Sequence, residues 1–329
     1  MTLLSGSRVV VLADHLADFA GSMLARLGAE VVLAGASELT APRAAAWHKG
    51  MTRSAAPLAE LLDGADVLLD DRRTDARKGI DALAAGYSRL VHVVVTGWPE
   101  GQGTRPVTDL TLMAQSGLMT VIGTPDRPPL RLPGEQAYAL TAIQTATAAL
   151  MGLRARRMTG SGQRIAVSAL QSAALANYRE AVMYEHTGRI GHRQGNMLVR
   201  GKSGVRQIWP CADGYVTWSI IDNPGMMRAL VRVMQAEDAA GELAEIDWDA
   251  ILVADTDQAV IERWQGVVEA FFVRHDRQTL AQWSLEHGWG LSPIMRLSEV
   301  PDSPQMQARG MFEDGLPGPL FAVHPGGAA

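Results

Sequence analysis

VTDLTLMAQSGLMTVIGTPDRPPLRLPGEQAY, which spans Val107 to Tyr138, is the most informative segment of this chain. An Ala-rich segment follows it, and then RARRMTGSGQRIAVSAL at residues 154–170. Glycine commonly ends a helix because it adopts the left-handed backbone conformation without steric cost. The two glycines of this second segment therefore predict that a helix over Leu140–Arg157 stops before a short strand at Ile165–Val167.

Toward the N-terminus, short runs rich in Val, Ile and Leu alternate with segments of helical periodicity. The predicted strands are Arg8–Ala13, Val31–Leu33, Asp66–Leu69 and Leu90–Thr96. The predicted helices between them are Phe19–Leu27, Pro57–Leu62 and Ile80–Ala85. Apolar runs without polar alternation are typical of strands that are covered on both faces, and strands that alternate with helices indicate a parallel sheet. We therefore predict an α/β fold with a large Rossmann-like parallel-sheet domain.

The second half of the chain has a different pattern. A basic, Gly-punctuated segment at 188–206 is predicted to be a linker, and two strand-like segments around an Asp-Gly turn predict a hairpin. The predicted later elements are strands Gln207–Trp209 and Tyr215–Ile220, helix 169–187 before the linker, and helices Pro224–Met234, Asp257–Phe272 and Thr279–His287. We predict that residues 1–195 and 305–329 form the large domain and that residues 196–304 form the linker and a smaller α+β domain. The Pro/Gly/Ala-rich ending is predicted to be disordered.

Composition excludes several classes of function. The 329 residues are 47% hydrophobic, which is enough to bury a large core. A formal net charge of −5 argues against binding to nucleic acid or to an anionic membrane surface. The single cysteine, Cys211, excludes an intrachain disulfide and fits a reducing cytoplasm. No apolar run is long enough to span a bilayer, and no Cys/His cluster has metal-ligand spacing. We therefore expect a cytoplasmic protein without a metal site.

The segments 107–138 and 154–170 resemble the family III CoA-transferases, the CaiB/BaiF family. Members of that family show D-L-x-x-x-A-x-S-G, then G-x-P-D-x-P-P-L, a catalytic Asp, a helix, and R-R-x-T-G-x-G-Q-x-x-x-V-S. The residues that match in order and spacing are Asp109, Ser116, Gly117, Gly123, Pro125, Asp126, Pro128–Leu130, Thr159–Gln163, Val167 and Ser168. The resemblance implies an open-ring chain that interlocks with a second chain. We therefore expect a homodimer, or a heteromer with a homologue that carries the Asp.

The residue at the family's nucleophile position is Tyr138. In the family, the Asp carboxylate attacks an acyl-CoA thioester and becomes a mixed anhydride, which is covalent catalysis. A carboxylate with a pKa of about 4 is ionised at neutral pH, whereas a phenol with a pKa of about 10 is protonated. We therefore expect Tyr138 to fill the former acyl pocket. Glu135 is the alternative carboxylate, or it is a helix-start acid near the positive helix end. Thr108 replaces the His of the family's racemases, which disfavours their proton exchange.

The positions that contact CoA in the family are only partly kept. The turn in the first helix reads HLAD at 15–18, and the basic and acidic residues after the second strand become AGA at 34–36. The family's N-R-x-K-R-S element reads KGMTRS at 49–54, and its E-N-F-R-P-G element reads DDRRTD at 70–75. Arginine suits a nucleotide phosphate because its planar fork makes two hydrogen bonds. The predicted CoA-binding residues are His15, Arg53, Asp71, Arg72 and Arg73. For the three arginines the alternative is that they are solvated surface charges, since Asp70, Asp71 and Asp75 neutralise the patch.

Three functions remain open from the sequence. The leading prediction is the Asp-lacking subunit of a heteromeric acyl-CoA:carboxylate CoA-transferase. The second is a repurposed acyl-CoA enzyme in which Tyr138, Glu135 or His15 acts as acid or base. The third is a non-catalytic dimer that binds CoA esters. In each case CoA or acyl-CoA is a substrate or ligand, and no permanently bound cofactor is expected.

Overall fold

A computed structural model describes residues 3–35, 39–72, 74–103, 105–313 and 315–318. The chain forms two compact units. The first unit consists of residues 1–122, 129–192 and 301–329, and the second consists of residues 123–128 and 193–300. The chain therefore leaves the first unit and returns to it, and the G-x-P-D-x-P segment groups with the second unit.

The first unit is built on a six-stranded parallel sheet. Its strands are β1 (Arg8–Leu12), β2 (Glu30–Ala34), β3 (Met51–Ser54), β4 (Val67–Asp70), β5 (Val91–Thr96) and β6 (Arg164–Ser168). Their order across the sheet is β3-β2-β1-β4-β5-β6, and every neighbouring pair is parallel. Val9, Val10 and Val11 on β1 have no exposed surface, as expected for a strand covered on both faces. The predicted α/β fold with a parallel sheet is confirmed.

Helices pack on both faces of this sheet. The helices of the first unit are α1 (Asp18–Arg26), α2 (Ala41–Trp47), α3 (Leu58–Leu62), α4 (Thr74–Ala84), α5 (Asp109–Gln115), α6 (Leu118–Val121), α7 (Gln136–Thr159), α8 (Ala169–Leu175) and α9 (Tyr178–Thr187). Along β1, Val9 and Val11 join a core cluster with α1, α5, α7 and α8. Val10 and Leu12 point the other way and join a cluster with α3. This alternation follows from the pleat of a strand, which sends successive side chains to opposite faces.

The T-G-x-G-Q segment joins α7 to β6 through two glycines with different roles. Gly160 adopts φ 79° and ends α7 in the left-handed conformation. A Cβ on Gly162 would collide with the Leu90 carbonyl oxygen, so the backbone here packs directly against the chain before β5. Gln163 Nε2 then donates to the Gly152 carbonyl oxygen (2.7 Å) and ties the turn back to α7. The T-G-x-G-Q motif therefore supplies the residues that a tight connection between a helix and a strand requires.

Some helices and strands differ from the prediction. α7 begins at Gln136 instead of Leu140, so Tyr138 lies in its first turn. The predicted helix over 169–187 is divided into α8 and α9, because the chain turns at Ala176 and Asn177. Two short elements, α2 and β3, were not predicted, because their small and polar residues show neither a helical nor a strand period.

The predicted linker contains regular structure. β7 (Met197–Arg200) and β8 (Ser203–Arg206) pair as an antiparallel hairpin. Gly201 between them has φ 56°, the left-handed conformation that a short hairpin turn requires. The Gly and basic residues at 200–206 therefore belong to a tight turn and its flanking strands, whereas residues 188–196 form no helix or strand.

The second unit packs helices against small antiparallel sheets, which confirms the predicted α+β character. Its remaining elements are β9 (Ile208–Cys211), β10 (Gly214–Thr217), β11 (Ser292–Pro293), α10 (Pro224–Ala236), α11 (Gln258–Phe272), α12 (Arg277–His287) and 3-10 helices Gly241–Glu245, Trp248–Ala250 and Val253–Asp255. The three-stranded sheet has the order β11-β10-β9. In its core, Trp209 Nε1 donates to the Trp218 carbonyl oxygen (2.7 Å). Trp218 Nε1 donates to the Trp289 carbonyl oxygen (3.0 Å), so the buried indole N–H groups of Trp209 and Trp218 are both satisfied.

Residues after 300 belong to the first unit. They form α13 (Pro304–Ala308), β12 (Phe312–Glu313) and β13 (Leu316–Pro317). Glu313 Oε2 pairs with Lys49 Nζ at 3.1 Å, and the Gly318 carbonyl oxygen accepts a hydrogen bond from the Arg26 guanidinium. This returning segment therefore contacts α1 and the turn after α2. The Pro/Gly/Ala-rich ending at 319–329 lies outside the described residues.

Candidate functional site

Tyr138 lies where the N-terminal ends of α5 and α7 meet. Thr108 caps α5: its Oγ1 accepts the Thr111 N–H (3.2 Å), and Thr111 Oγ1 accepts the Thr108 N–H (2.8 Å). Asp109, the first residue of α5, accepts the Tyr138 backbone N–H with Oδ1 at 3.1 Å. The N-cap residue of α7 makes no such bond, so a carboxylate from α5 satisfies this helix start. The other oxygen of Asp109, Oδ2, is buried without a hydrogen-bond partner.

Aromatic packing surrounds the Tyr138 side chain, which is 8% exposed. Its ring meets Trp47 edge to face, with the ring centroids 6.3 Å apart. Trp47 in turn stacks on Phe19 with the centroids 5.6 Å apart. The Arg43 guanidinium lies 4.1 Å from the Trp47 ring centroid and 5.7 Å from that of Tyr138. The rings of Phe19, Trp47 and Tyr138, called the aromatic cluster below, thus fill the space beside the start of α7.

Glu135 and Arg43 form an ion pair beside the aromatic cluster. Glu135 Oε1 lies 3.0 Å from Arg43 Nη1, and both side chains are partly exposed. Burial raises the pKa of the Tyr138 phenol above its ordinary value; the Arg43 charge lowers this pKa, while the Asp109 and Glu135 charges raise it further. The phenol is therefore protonated at neutral pH, and the carboxylate of Glu135 is already paired with Arg43.

A buried histidine–aspartate pair adjoins the aromatic cluster, and sequence reasoning missed it. His48 Nε2 lies 2.6 Å from Asp18 Oδ1, and Asp18 is 1% exposed. Arg53 Nη2 lies 3.1 Å from His48 Nδ1. An arginine only donates, so Nδ1 accepts and Nε2–H donates to the carboxylate. Arg53, a predicted CoA contact, is exposed on β3. Its hydrogen bond to Nδ1 also fixes the tautomer of His48.

The turn between β1 and α1 encloses the carboxylate of Asp71. Leu16 and Ala17 donate their backbone N–H groups to Oδ2 at 2.6 and 2.9 Å, and the Asp14 N–H donates to Oδ1 in a short hydrogen bond. His15 has φ 99°, a conformation that L-residues rarely adopt and that turns these N–H groups inward. Desolvation raises the pKa of Asp71 to about 7, although the three backbone hydrogen bonds oppose that rise.

Only one of the two predicted arginines beside Asp71, Arg72, lies within the described residues. Arg72 Nη1 forms an ion pair with Asp14 Oδ1 at 2.9 Å, so part of its charge is already neutralised. Its side chain is 26% exposed and lies over Gly35, which follows β2. Arg73 lies outside the described residues. Of this pair, Arg72 is the cation that the structure places at the carboxyl ends of β1, β2 and β4.

The start of α1 connects these groups. Ala17 donates to Asp71, Asp18 binds His48, and Phe19 stacks on Trp47. The structure thus brings together His15, Asp71 and Arg72 at one place and Tyr138 and Glu135 at another, with Arg53 beside His48 between them. Sequence reasoning missed Asp18, Arg43, Trp47 and His48, because nothing in their local patterns marks a contact with α7 or α1.

Other kinds of site find no support in the part of the chain that the structure describes. No group of three or more His, Cys, Asp or Glu side chains there is placed to hold a metal ion. None of the helices in those ranges has both the length and the apolar character to cross a membrane. Cys211 Sγ lies 3.6 Å from Asp213 Oδ1, and burial raises the pKa of this thiol. Its thiol is therefore not activated as a nucleophile.

Comparison with known protein families gives a match over most of the chain. The model of "CoA-transferase family III" matches residues 52–321. The chain belongs to CoA-transferase family III. The match includes the ends of α5 and α7 that hold Asp109, Glu135 and Tyr138. The predicted membership of the CaiB/BaiF family is thereby confirmed.

Two family III relatives have names that specify a reaction. Succinate–glutarate CoA-transferase from Agrobacterium fabrum (strain C58) is 27% identical over 352 aligned positions, which cover 94% of this chain and 84% of that protein. Succinyl-CoA:(R)-benzylsuccinate CoA-transferase subunit BbsE from Thauera aromatica is 30% identical over 187 residues. That second match covers 54% of this chain and only 44% of the length of BbsE.

Solved structures support the same fold. A CAIB/BAIF family protein from Brucella suis has a TM-score of 0.83 at 22% identity, over 99% of this chain and 93% of that one. Rv3272 from Mycobacterium tuberculosis has a TM-score of 0.76 at 19% identity, over 94% of this chain and 89% of that one. At these identities the likeness establishes the fold of this family III member and nothing about its substrates.

Proposed function

We propose that this chain is the subunit of a heteromeric acyl-CoA:carboxylate CoA-transferase that lacks the nucleophilic carboxylate, and that a homologous subunit supplies it. The observation that carries the proposal is Tyr138, which stands where the family motif has its catalytic Asp. Its ring packs against Trp47, and burial raises the pKa of its phenol. The position is thus filled by a protonated side chain.

The chemistry of the family explains why a phenol does not replace the carboxylate. The carboxylate oxygen forms a bond to the acyl carbon, the C–S bond breaks, and CoA leaves as a thiolate. For the enzyme to carry CoA next as a thioester, the acyl carbon of that thioester must belong to the enzyme. An Asp side chain has such a carbon, and the phenol of Tyr138 has none. Acylation of Tyr138 would therefore stop the relay at an aryl ester.

The substrate class follows from the relatives. The names of the two relatives above include succinate and succinyl-CoA, respectively. We propose that the complex uses succinyl-CoA or another acyl-CoA as donor and a free carboxylic acid as acceptor, with no permanently bound cofactor. A chain with one cysteine and a thioester substrate fits a reducing cytoplasm.

Exposed apolar side chains on α7 and α9 support a partner subunit. Ile143, Met151 and Met158 on α7 are 49%, 66% and 78% exposed, although the opposite side of that helix is buried in the core. Tyr178 on α9 is 65% exposed. A helix that is apolar on opposite sides is typical of a helix covered on both. One relative is itself named as a subunit. We propose the interlocked, open-ring pairing of the family for this contact.

The proposed CoA contacts are the cations at the start of α1. Arg53 is exposed on β3, and Arg72 lies at the carboxyl end of β4 with Asp14 as its ion-pair partner. We propose that these two arginines, together with Arg73 and the His15 turn, receive the CoA nucleotide. Arginine holds a phosphate through two parallel hydrogen bonds, so a neighbouring Asp weakens but does not abolish that role.

The experiment compares the chain alone with the chain co-purified with a homologue that carries the Asp. Transfer of CoA from succinyl-CoA to a panel of carboxylic acids is measured for both. We expect transfer only with the complex, and we expect Tyr138→Phe and Glu135→Gln to leave that transfer unchanged. Turnover by the chain alone would contradict the proposal, and its loss in Glu135→Gln would favour the repurposed enzyme. An inactive complex that still binds CoA esters would favour the non-catalytic dimer.

A further inference from the structure

Backbone N–H groups at the start of α1 form a cradle for an anion, and Asp71 occupies it. The cradle consists of the N–H groups of Asp14, Leu16 and Ala17. Asp71 is 6% exposed, and Leu16 and Ala17 are buried as well, so bulk water does not share the donors of these two residues. All three donors point at one carboxylate, which makes this a fully occupied anion position built from the protein's own atoms.

The cradle lies where folds of this type bind ligands. In the order β3-β2-β1-β4-β5-β6, the chain first runs outward from β1 to β3 and then restarts at β4 on the other side of β1. Ligands bind outside the carboxyl ends of the strands at such a reversal. The first helix there directs its N–H groups and positive end toward an anionic group. Asp71 directly follows β4, and its carboxylate takes the place of that group.

The surroundings of the cradle suit one negative charge and not two. Asp18 on α1 lies close enough for its charge to raise the pKa of Asp71. Asp18 accepts a hydrogen bond from His48 Nε2 at 2.6 Å. Arg72 is the nearby cation on the β4 side, and Asp14 already holds it at 2.9 Å. A phosphate beside Asp71 would therefore meet neighbouring carboxylates, while Arg72 is already paired with Asp14.

We propose that Asp71 is a specificity-determining residue that keeps ligand phosphates out of this cradle. The ligand class, a CoA ester, rests on the proposed function. The Asp71 carboxylate and a phosphate compete for the same three donors. The CoA phosphates therefore bind at the neighbouring arginines and not at the backbone donors of the cradle, and the chain alone binds CoA weakly. Removal of the carboxylate opens the cradle to phosphate.

Calorimetric titration of the full chain with inorganic pyrophosphate, and then with CoA, tests this directly. Asp71→Ala is expected to bind pyrophosphate at least about tenfold more tightly than the unchanged chain, because three backbone donors become available. Asp63→Ala is the matched control, since it removes an exposed carboxylate from the same unit without touching the cradle. Equal affinities in these two variants would overturn the inference.

A second measurement does not depend on the stability of a variant. Pyrophosphate is titrated into the unchanged chain in alkaline buffer while the amide resonances of Asp14, Leu16 and Ala17 are followed. We expect these three amides not to respond. A saturable shift at all three would mean that phosphate enters beside Asp71, and the inference would be wrong.

The two proposals fail in different ways. If Asp71→Ala gains affinity for pyrophosphate but the two-subunit complex transfers no CoA, the role of Asp71 stands and the proposed function falls. If the complex is active but Asp71→Ala gains no affinity for the anion, the proposed function stands and the role of Asp71 falls.

Discussion

Removal of the Tyr138 ring should destabilise the first unit far more than removal of its hydroxyl group. The side chain is 8% exposed, and its ring contacts Trp47 at 6.3 Å and Arg43 at 5.7 Å between the groups' centres. Truncation of a buried aromatic residue to alanine costs about 3–5 kcal/mol. Because the Tyr138 side chain keeps some contact with solvent, we expect the lower end of that range, about 3 kcal/mol, for Tyr138→Ala. Tyr138→Phe keeps every ring contact and should cost less than about 1 kcal/mol.

Hydrogen–deuterium exchange of peptides from α1 and α7 is the suitable assay. Tryptophan fluorescence would report mainly on the second unit, which holds six of the eight tryptophans. A loss of about 3 kcal/mol corresponds to roughly a hundredfold faster exchange in these peptides for Tyr138→Ala. If Tyr138→Phe accelerated exchange as much as Tyr138→Ala, or if neither did, the ring would not be filling this site and the reasoning would be refuted.

Three further predictions concern other contacts. Gly162→Ala sets a Cβ against the Leu90 carbonyl oxygen and should prevent stable folding of the first unit, whereas Gly160→Ala, at φ 79°, should cost only about 1–2 kcal/mol in urea unfolding. His48→Ala removes the hydrogen-bond donor to the buried Asp18 carboxylate and should cost about 1–3 kcal/mol, and the double variant with Asp18→Asn should recover part of that loss. Arg277 holds the pKa of Glu299 at about 2, below its ordinary 4.5. Their contribution to stability is therefore complete above about pH 4.5 and lost as the pH falls toward 2. Acid titration of tryptophan fluorescence should lose this component in Glu299→Gln and keep it in a Glu262→Gln control.

The parallel sheet and the motif turns were readable from the sequence because their causes are local. Unbroken Val and Leu runs such as that of β5 need cover on both faces wherever they occur. Gly160 and Gly162 mark a tight connection because a left-handed residue and a missing side chain are properties of single residues. Such features are determined within a few residues, and they were sufficient to predict the α/β fold.

The start of α7 shows where local reasoning fails. No Ser, Thr, Asp or Asn precedes the helix at its N-cap, so its first turn was predicted to be loop. The acceptor for the Tyr138 N–H is Asp109, which lies 29 residues earlier in the chain. A cap supplied from another helix leaves no mark on the sequence around α7.

The candidate site depends on contacts of the same long-range kind. His48 and Asp18 are 30 residues apart, and the Asp71 carboxylate binds N–H groups more than 50 residues before it. The aspartates around Arg72 were read as charges that neutralise a patch. The structure shows that Asp71 is a hydrogen-bond acceptor buried at the start of α1, which depends on the order of the strands and not on local composition.

We propose that this subunit carries no acyl group during turnover, because Tyr138 stands in place of the catalytic Asp. The most direct test is intact-mass analysis and peptide mapping of the two-subunit complex, quenched during turnover with succinyl-CoA. We predict that acyl or CoA adducts are found only on the homologous subunit that bears the Asp. An adduct on Tyr138, on Glu135 or on any other side chain of this chain would contradict the account.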